Sequence, residues 1–202
     1  MQIKSLIDKI EEMESVEEIT NTVINNFNDY PNIKAGFKSF ISDQERYSIE
    51  KFKQQIINIL NVVNNFSEEE FDALNLAIED VGPWDFEETV ESINRDDYIY
   101  FPDVESDYDL GEIYVEYVGS IEEAVSEEDL ANYIDIQELG QDIFETNEDS
   151  DLDIDDCIDI AREEVAEHPN DFLDYFDYDA FGKDLRLYDG YFIGSTGAIW
   201  IQ

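Results

Sequence analysis

Negative charge is concentrated in one part of this chain, and this imbalance limits how the chain can fold. The whole sequence contains 53 Asp and Glu against 11 Lys and Arg, a formal net charge of -42. Residues 1–66 have 10 acidic and 7 basic side chains, whereas residues 67–202 have 43 and 4. Crowded like charges on the surface of the second segment destabilise the compact state by self-repulsion, and we expect function to be the reason that this cost is tolerated. That surface would repel nucleic acid and anionic membranes and would attract the basic surfaces that hold DNA or RNA.

The apolar content predicts a folded protein rather than a disordered acidic tail. The chain is 43% hydrophobic and 13% aromatic, and its charges are interleaved with apolar residues. Disordered acidic segments are poor in aromatic residues. The chain starts with no basic segment followed by an apolar one, and no apolar run approaches the roughly 18 residues of a membrane helix. We therefore expect a cytoplasmic protein that does not bind membranes.

The first 66 residues predict a separate, near-neutral helical domain. Apolar residues recur there at helical spacing, and Ser15 has the position of a helix cap. Pro31 and Gly36 are expected to interrupt the helical pattern, and Ser42 to begin a further helix.

The acidic segment predicts short helices with a few strands. Ser67 opens a capping-box pattern, Tyr98–Phe101 has the composition of a strand, and residues 191–201 resemble a hairpin. The predicted fold class is therefore α+β, an elongated chain of small domains with an internal repeat. The predicted domains are 1–66, helical and near-neutral; 67–145, acidic and central; and 146–202, acidic and C-terminal.

The internal repeat consists of two gapless segments that are 42 residues apart, DLANYIDIQELGQDI (129–143) and DFLDYFDYDAFGKDL (171–185). The identical pairs are Asp129 and Asp171, Tyr133 and Tyr175, Asp135 and Asp177, Gly140 and Gly182, and Asp142 and Asp184. Such a repeat places similar carboxylates at regular spatial intervals. The alternative is a helical hairpin that is reused without functional meaning.

Motifs for catalysis or metal binding fail when their positions are counted. The acidic run 147–156 lacks the Gly and Glu of an EF-hand loop, whether the count begins at Asp149 or Asp151. A two-metal nuclease with this surface charge would repel its own substrate. The single His168 is interpreted as a structural loop residue, and the single Cys157 as a buried apolar one. We predict no enzymatic activity, no cofactor and no metal site.

The tyrosines of the acidic segment have two interpretations. They could stack on bases, but such platforms lie in basic grooves. We therefore predict that they are core residues with hydroxyls at the surface. They are Tyr98, Tyr100, Tyr114, Tyr117, Tyr133, Tyr175 and Tyr178.

Segments of the acidic part carry a family resemblance. DDYIYFPDVESDYDLGEIYVEYVG (96–119) is similar to the central domain of the ArdA antirestriction family, and the two repeat segments with the aromatic hairpin are similar to its C-terminal portion. The resemblance covers about residues 67–202. Residues 1–66 depart from the family, whose N-terminal domain is β-rich.

The resemblance implies an elongated, curved, dimeric mimic of B-form DNA. Such proteins occupy the DNA-binding groove of type I restriction-modification enzymes, and mobile elements use them to evade restriction. The net charge of -39 in residues 67–202 independently indicates the same function, because it equals the charge of about 66 Å of duplex DNA. Charge repulsion opposes the implied homodimer, unless the contact is apolar or is supplied by residues 1–66.

The predicted function is therefore antirestriction by DNA mimicry, with the acidic array itself as the partner-binding site. No direct binding to nucleic acid is expected. The carboxylates predicted to form the surface are Glu112, Glu116, Glu127, Glu128, Asp129, Asp135, Asp142, Asp171, Asp177, Asp179 and Asp184. Two alternatives stay open: a DNA-mimic anti-CRISPR inhibitor of a Cas nuclease, and an acidic immunity protein against a toxin nuclease.

Overall fold

A computed structural model describes residues 3–44, 47–126, 128–146 and 152–202. The contacts between Cα atoms divide the chain into two compact units. The first unit comprises Met1–Asp103 together with Tyr191–Gln202, and the second unit comprises Val104–Gly190. These boundaries differ from the predicted domains at 1–66, 67–145 and 146–202, because the last strands of the chain return to the first unit.

The first unit is built mainly from helices that begin where the sequence supplies a cap. Its helices are α1 (Ile3–Glu12), α2 (Val16–Asn26), α3 (Pro31–Gln44), α4 (Ile49–Val63), α5 (Glu68–Val81) and α6 (Phe86–Asn94), with a 3-10 helix at Pro83–Asp85. The hydroxyl oxygens of Ser15, Ser48 and Ser67 accept hydrogen bonds from backbone N–H groups in the first turns of α2, α4 and α5. Ser67 forms the complete capping box with Glu70, as its spacing predicts.

Three residues near α3 behave differently from the prediction. Pro31 begins the helix, because its missing N–H is not needed in the first turn. Gly36 lies inside the helix, where a Cβ would collide with the ring of Phe86. Ser42 lies inside the same helix, and Ser48 caps the next one.

A small antiparallel sheet completes the first unit. Its strands are β1 (Tyr98–Pro102), β2 (Phe192–Gly194) and β3 (Gly197–Ile201), in the order β1-β3-β2. Tyr98 lies opposite Ile201, and Phe192 lies opposite Ile199. The predicted strand and hairpin are therefore present, and they form one sheet.

The core of the first unit joins residues from both sides of the predicted boundary at residue 66. Phe27, Phe37 and Phe86 are fully buried. The ring centroids of Phe27 and Phe37 are 4.6 Å apart, and those of Phe37 and Phe86 are 4.7 Å apart. Ile199 of β3 belongs to the same cluster. Burying one such side chain stabilises the fold by about 1.5–3 kcal/mol, so residues 1–66 complete their core with later residues.

The second unit is helical. Its helices are α7 (Asp107–Val118), α8 (Ile121–Ala124), α9 (Ile136–Thr146), α10 (Ile154–Glu167) and α11 (Tyr178–Tyr188), with 3-10 helices at Leu130–Asn132 and Pro169–Tyr175. Helix α7 packs on α11, and α9 packs on α10. A Cβ added at Gly182 would collide with the backbone carbonyl oxygen of Asp107 and would lie 2.8 Å from the backbone nitrogen of Gly111, so α7 and α11 approach closely at Gly111 and Gly182. Within the described ranges, no helix of the chain is long and apolar enough to cross a membrane.

Candidate acidic interface

The second unit has the highest density of negative charge. Its 87 residues include 30 Asp and Glu and 3 Lys and Arg, a net of -27. Every one of its carboxylates that the structure describes is exposed or half-buried. The fold therefore places this charge at the surface.

Ten of the eleven predicted interface residues can be located, since Glu127 lies outside the described residues. Nine are exposed: Glu112, Glu116, Glu128, Asp129, Asp135, Asp142, Asp171, Asp177 and Asp179. Asp184 is half-buried. A partner can therefore reach the nine exposed carboxylates, whereas Asp184 is less accessible.

The two segments that match in sequence form corresponding elements. Each has a 3-10 turn followed by an 11-residue helix, α9 in one and α11 in the other. The equivalent residues Ile134 and Phe176 face each other in an isolated antiparallel bridge. The two segments therefore contact each other at equivalent positions.

Tyrosine hydroxyls connect the two segments in a reciprocal manner. Tyr133 Oη donates to Asp184 Oδ2 at 2.8 Å, and Tyr175 Oη donates to Asp142 Oδ2 at 2.5 Å. The backbone is also reciprocal, because Asp177 N donates to Tyr133 O at 2.6 Å and Asp135 N donates to Tyr175 O at 3.3 Å. Each tyrosine belongs to one segment and its carboxylate to the other. Two of the predicted interface carboxylates are therefore held in fixed orientations.

These tyrosines remain hydrogen-bond donors far above neutral pH. Burial, with the hydrogen bond to Asp184, raises the pKa of Tyr133 to about 12. The hydrogen bond to Asp142 raises the pKa of Tyr175. In both cases the neighbouring carboxylate disfavours a second negative charge on the phenol.

Asp135 and Asp177 have a second role at the starts of α9 and α11. Asp135 Oδ1 accepts from the backbone N–H of Glu138 at 3.0 Å, and Asp177 Oδ1 accepts from that of Ala180 at 2.9 Å. Such caps stabilise a helix start by about 1 kcal/mol, so these carboxylates are structural as well as exposed. Between the two segments lies a shallow cleft of about 570 Å³, lined by residues 131–138 and 174–177.

Glu112 and Glu116 lie at a different cleft, about 660 Å³ in volume. They are one turn apart on α7, and the same cleft is lined by Val115, Leu173 and Tyr178. Carboxylates beside an apolar floor suit a long basic side chain, whose alkyl part can pack while its charged end is paired. The structure thus places four of the predicted residues at two separate clefts. The other six located residues line neither cleft: Glu128, Asp129, Asp142, Asp171, Asp179 and Asp184.

Two of the three basic residues of the second unit are paired with carboxylates. Arg186 donates to both oxygens of Asp107, from Nε at 2.8 Å and from Nη2 at 3.0 Å. Arg162 Nη1 lies 2.7 Å from Asp159 Oδ1. The hydrogen bond from Arg186 lowers the pKa of Asp107. These pairs neutralise only a small part of the negative surface.

Other predicted residues have plain structural positions. Cys157 is buried, as predicted, and His168 follows the last residue of α10. Tyr117 is 61% exposed, whereas the other six tyrosines are half-buried, so none belongs to the fully buried core. Among the residues with described positions, no group of three or more His, Cys, Asp or Glu could hold a metal ion. Half of the acidic run at 147–156, namely 147–151, lies outside them.

The pairing of Tyr133 and Tyr175 with aspartates of the other segment was not predicted from the sequence. The signal for it was present, because each segment contains the same tyrosine and, nine residues later, the same aspartate. The spacing alone could not show that each tyrosine reaches the aspartate of the other segment.

No protein-family model, curated protein or solved structure matches this chain.

Proposed function

We propose that this protein is a DNA-mimic inhibitor that occupies the DNA-binding groove of a defence enzyme, with type I restriction-modification complexes as the leading target. The observation that supports this most is the net charge of -27 in the second unit, with its described carboxylates at the surface. The ArdA resemblance of residues 67–202 supports the choice of target. The acidic surface binds its partner without performing chemistry.

The amount of charge is suited to a groove built for duplex DNA. Since B-form DNA carries one charge per about 1.7 Å, the second unit has the charge of about 46 Å of duplex. A basic groove that releases its counterions to this surface gains affinity that falls steeply with salt.

The fixed carboxylates also favour binding. Asp142 and Asp184 are held by tyrosines, and Asp135 and Asp177 by helix starts. A surface ordered before binding loses less conformational entropy in the complex.

The test is competition with DNA for a purified type I complex. Fluorescence anisotropy of a labelled duplex would report displacement by the protein at about 50 mM salt, and weaker displacement at about 200 mM. Absence of displacement at the lower salt concentration would refute this target.

A matched pair of variants distinguishes an effect of charge in the second unit from an effect of the total net charge. The test variant neutralises exposed residues of the second unit: Glu112→Gln, Glu116→Gln, Glu128→Gln, Asp171→Asn and Asp179→Asn. The control makes five equivalent changes in the first unit: Glu11→Gln, Glu12→Gln, Glu14→Gln, Asp8→Asn and Asp43→Asn. One exposed charge contributes at most about 1 kcal/mol, so single changes are small and five should weaken inhibition about tenfold or more. An equal loss in the control would show that total charge, not the second unit, is responsible.

The same competition distinguishes the alternatives. Displacement of DNA from a Cas nuclease, with none from the type I complex, would assign the protein to the anti-CRISPR class. Binding only to a toxin nuclease would assign it to the immunity class.

A further inference from the structure

A recess in the first unit has a different composition from the acidic interface. It has a volume of about 670 Å³. It is lined by aromatic rings, amides and carboxylates: Asn25, Asn26, Asp29, Tyr30, Phe66, Glu68 and Phe71. These residues come from the end of α2 with its following turn and from the start of α5 with the residues before it.

Three rings form the apolar wall of this recess. The ring centroids of Tyr30 and Phe71 are 5.4 Å apart, and those of Phe66 and Phe71 are 5.9 Å apart with their planes at 69°. Phe71 is 8% exposed, whereas Tyr30 and Phe66 are half-buried. Phe71 therefore anchors the group to the core, and the other two rings retain surface that a ligand can reach.

The electrostatic environment of the rings is negative. Asp29 and Glu68 are exposed at the recess, and Asn25 and Asn26 belong to the C-terminal turn of α2. The C-terminal end of α2 carries partial negative charge, and the carboxylate of Glu68 offsets the partial positive charge at the start of α5. Burial raises the pKa of Tyr30, and the charges of Asp72, Glu68 and Asp29 raise it further, in agreement with this environment.

The nearest basic side chain in the sequence is bonded to an amide that does not line the recess. Lys34 Nζ donates to Asn28 Oδ1 at 2.5 Å. Within the described residues, it forms no ion pair with Asp29 or Glu68.

We propose that this recess binds an alkylammonium or guanidinium group, presented by a lysine or arginine side chain of a partner protein. Aromatic faces attract cations, and carboxylates at the rim complete the coordination of a charged head. The carboxylates of Asp29 and Glu68 would repel an anion, and a purely apolar ligand would leave them without a partner. This site lies outside the predicted acidic interface and does not depend on the proposed inhibition of a DNA-binding enzyme.

The probe is N-acetyl-arginine amide, with N-acetyl-citrulline amide as its neutral isostere. Titration followed by NMR should shift the ring signals of Tyr30, Phe66 and Phe71 with the arginine compound. The citrulline compound should bind at least about threefold more weakly. Equal shifts with both compounds would overturn the proposal. Spermidine tests a free polyamine as the source of the cation, and tighter binding of spermidine than of the arginine compound would overturn the assignment to a protein side chain.

Two variants test the two components of the recess. Asp29→Asn with Glu68→Gln keeps the side-chain shapes and should raise the dissociation constant about three- to tenfold. Phe66→Leu should raise it about threefold while leaving the charges unchanged.

Glu12→Gln with Glu14→Gln is the control, because it removes the same charge from positions that do not line the recess. Circular dichroism would establish that every variant is folded. A control that weakens binding as much as the recess variants would refute the site.

Discussion

Replacement of Tyr133 by Phe removes one hydroxyl and leaves the ring packing of the second unit in place. The ring of Tyr133 contacts those of Phe176 and Phe181, with centroid distances of 5.9 Å and 5.3 Å. Its hydroxyl donates to Asp184 at 2.8 Å across 51 residues of sequence. The variant therefore tests the connection between the two repeat segments rather than their apolar contacts.

The expected loss of stability can be bounded from the geometry. A hydrogen bond to a charged group contributes about 1.5–3 kcal/mol when it is well shielded from water. Tyr133 and Asp184 are both half-buried, so solvent screening reduces the expected value to about 1 kcal/mol. Urea unfolding at neutral pH, followed by circular dichroism, measures this value as a shift in midpoint with an unchanged slope.

A double-mutant cycle that combines Tyr133→Phe with Asp184→Ala isolates the interaction between these two side chains. A coupling free energy of about 1 kcal/mol is expected, and a value below about 0.3 kcal/mol would refute the connection. Tyr175→Phe serves as the internal comparison, because its partner Asp142 is exposed. The loss for Tyr175→Phe should be smaller than that for Tyr133→Phe.

The stability that Tyr133 contributes also has a defined pH range. Its pKa is raised from 10.0 to about 12 in the folded protein. A raised pKa means that the contribution is fully present below pH 10 and is lost as the pH rises towards 12. The difference in stability between wild type and Tyr133→Phe should therefore shrink across this range, and a constant difference would contradict the assignment.

Three further predictions test other contacts. Gly182→Ala places a Cβ against the backbone carbonyl of Asp107, which cannot move aside as a flexible side chain would. Urea unfolding should show a loss of about 3 kcal/mol or more, against about 0.5 kcal/mol or less for the exposed Leu187→Ala. Ser67→Ala removes the capping box of α5 and should cost about 1 kcal/mol, seen as faster amide hydrogen exchange in the first turn. Arg186→Gln removes the partner that lowers the pKa of Asp107. The variant should therefore be less stable than the wild type above about pH 4, the ordinary pKa of Asp, and this difference should disappear as the pH falls through the lowered pKa of Asp107. Unfolding midpoints at several pH values check this result, and a loss that persists in acid would contradict it.

Local patterns in the sequence predicted many of the structural elements. Ser15 marks the start of α2, and Ser67 marks that of α5, as their types and spacing indicate. These signals act within three or four residues, so the sequence displays them directly. The prediction was wrong at Pro31, Gly36 and Ser42, because a single residue type does not reveal its helix position or its packing partner.

Part of the acidic interface was also accessible from sequence. The charge pattern and the repeat predicted that these carboxylates lie at the surface, and nine of them are exposed in the structure. The sequence did not reveal that Asp135 and Asp177 cap helices, or that Asp142 and Asp184 accept tyrosine hydroxyls. These roles depend on orientation, which a one-dimensional pattern does not contain.

The sequence by itself determined where the charge lies, which segments repeat and where helices such as α2 and α5 begin, because each depends on composition or on neighbours along the chain. Only the tertiary structure decided which distant groups meet. Asn75 Oδ1 accepts from the backbone N–H of Asn32 at the start of α3, although 43 residues separate them. β1 pairs with β3, and this contact places the end of the chain in the first unit rather than in a C-terminal domain. Such partners are chosen by the shape and burial of the whole core, so they become visible only when the chain is folded.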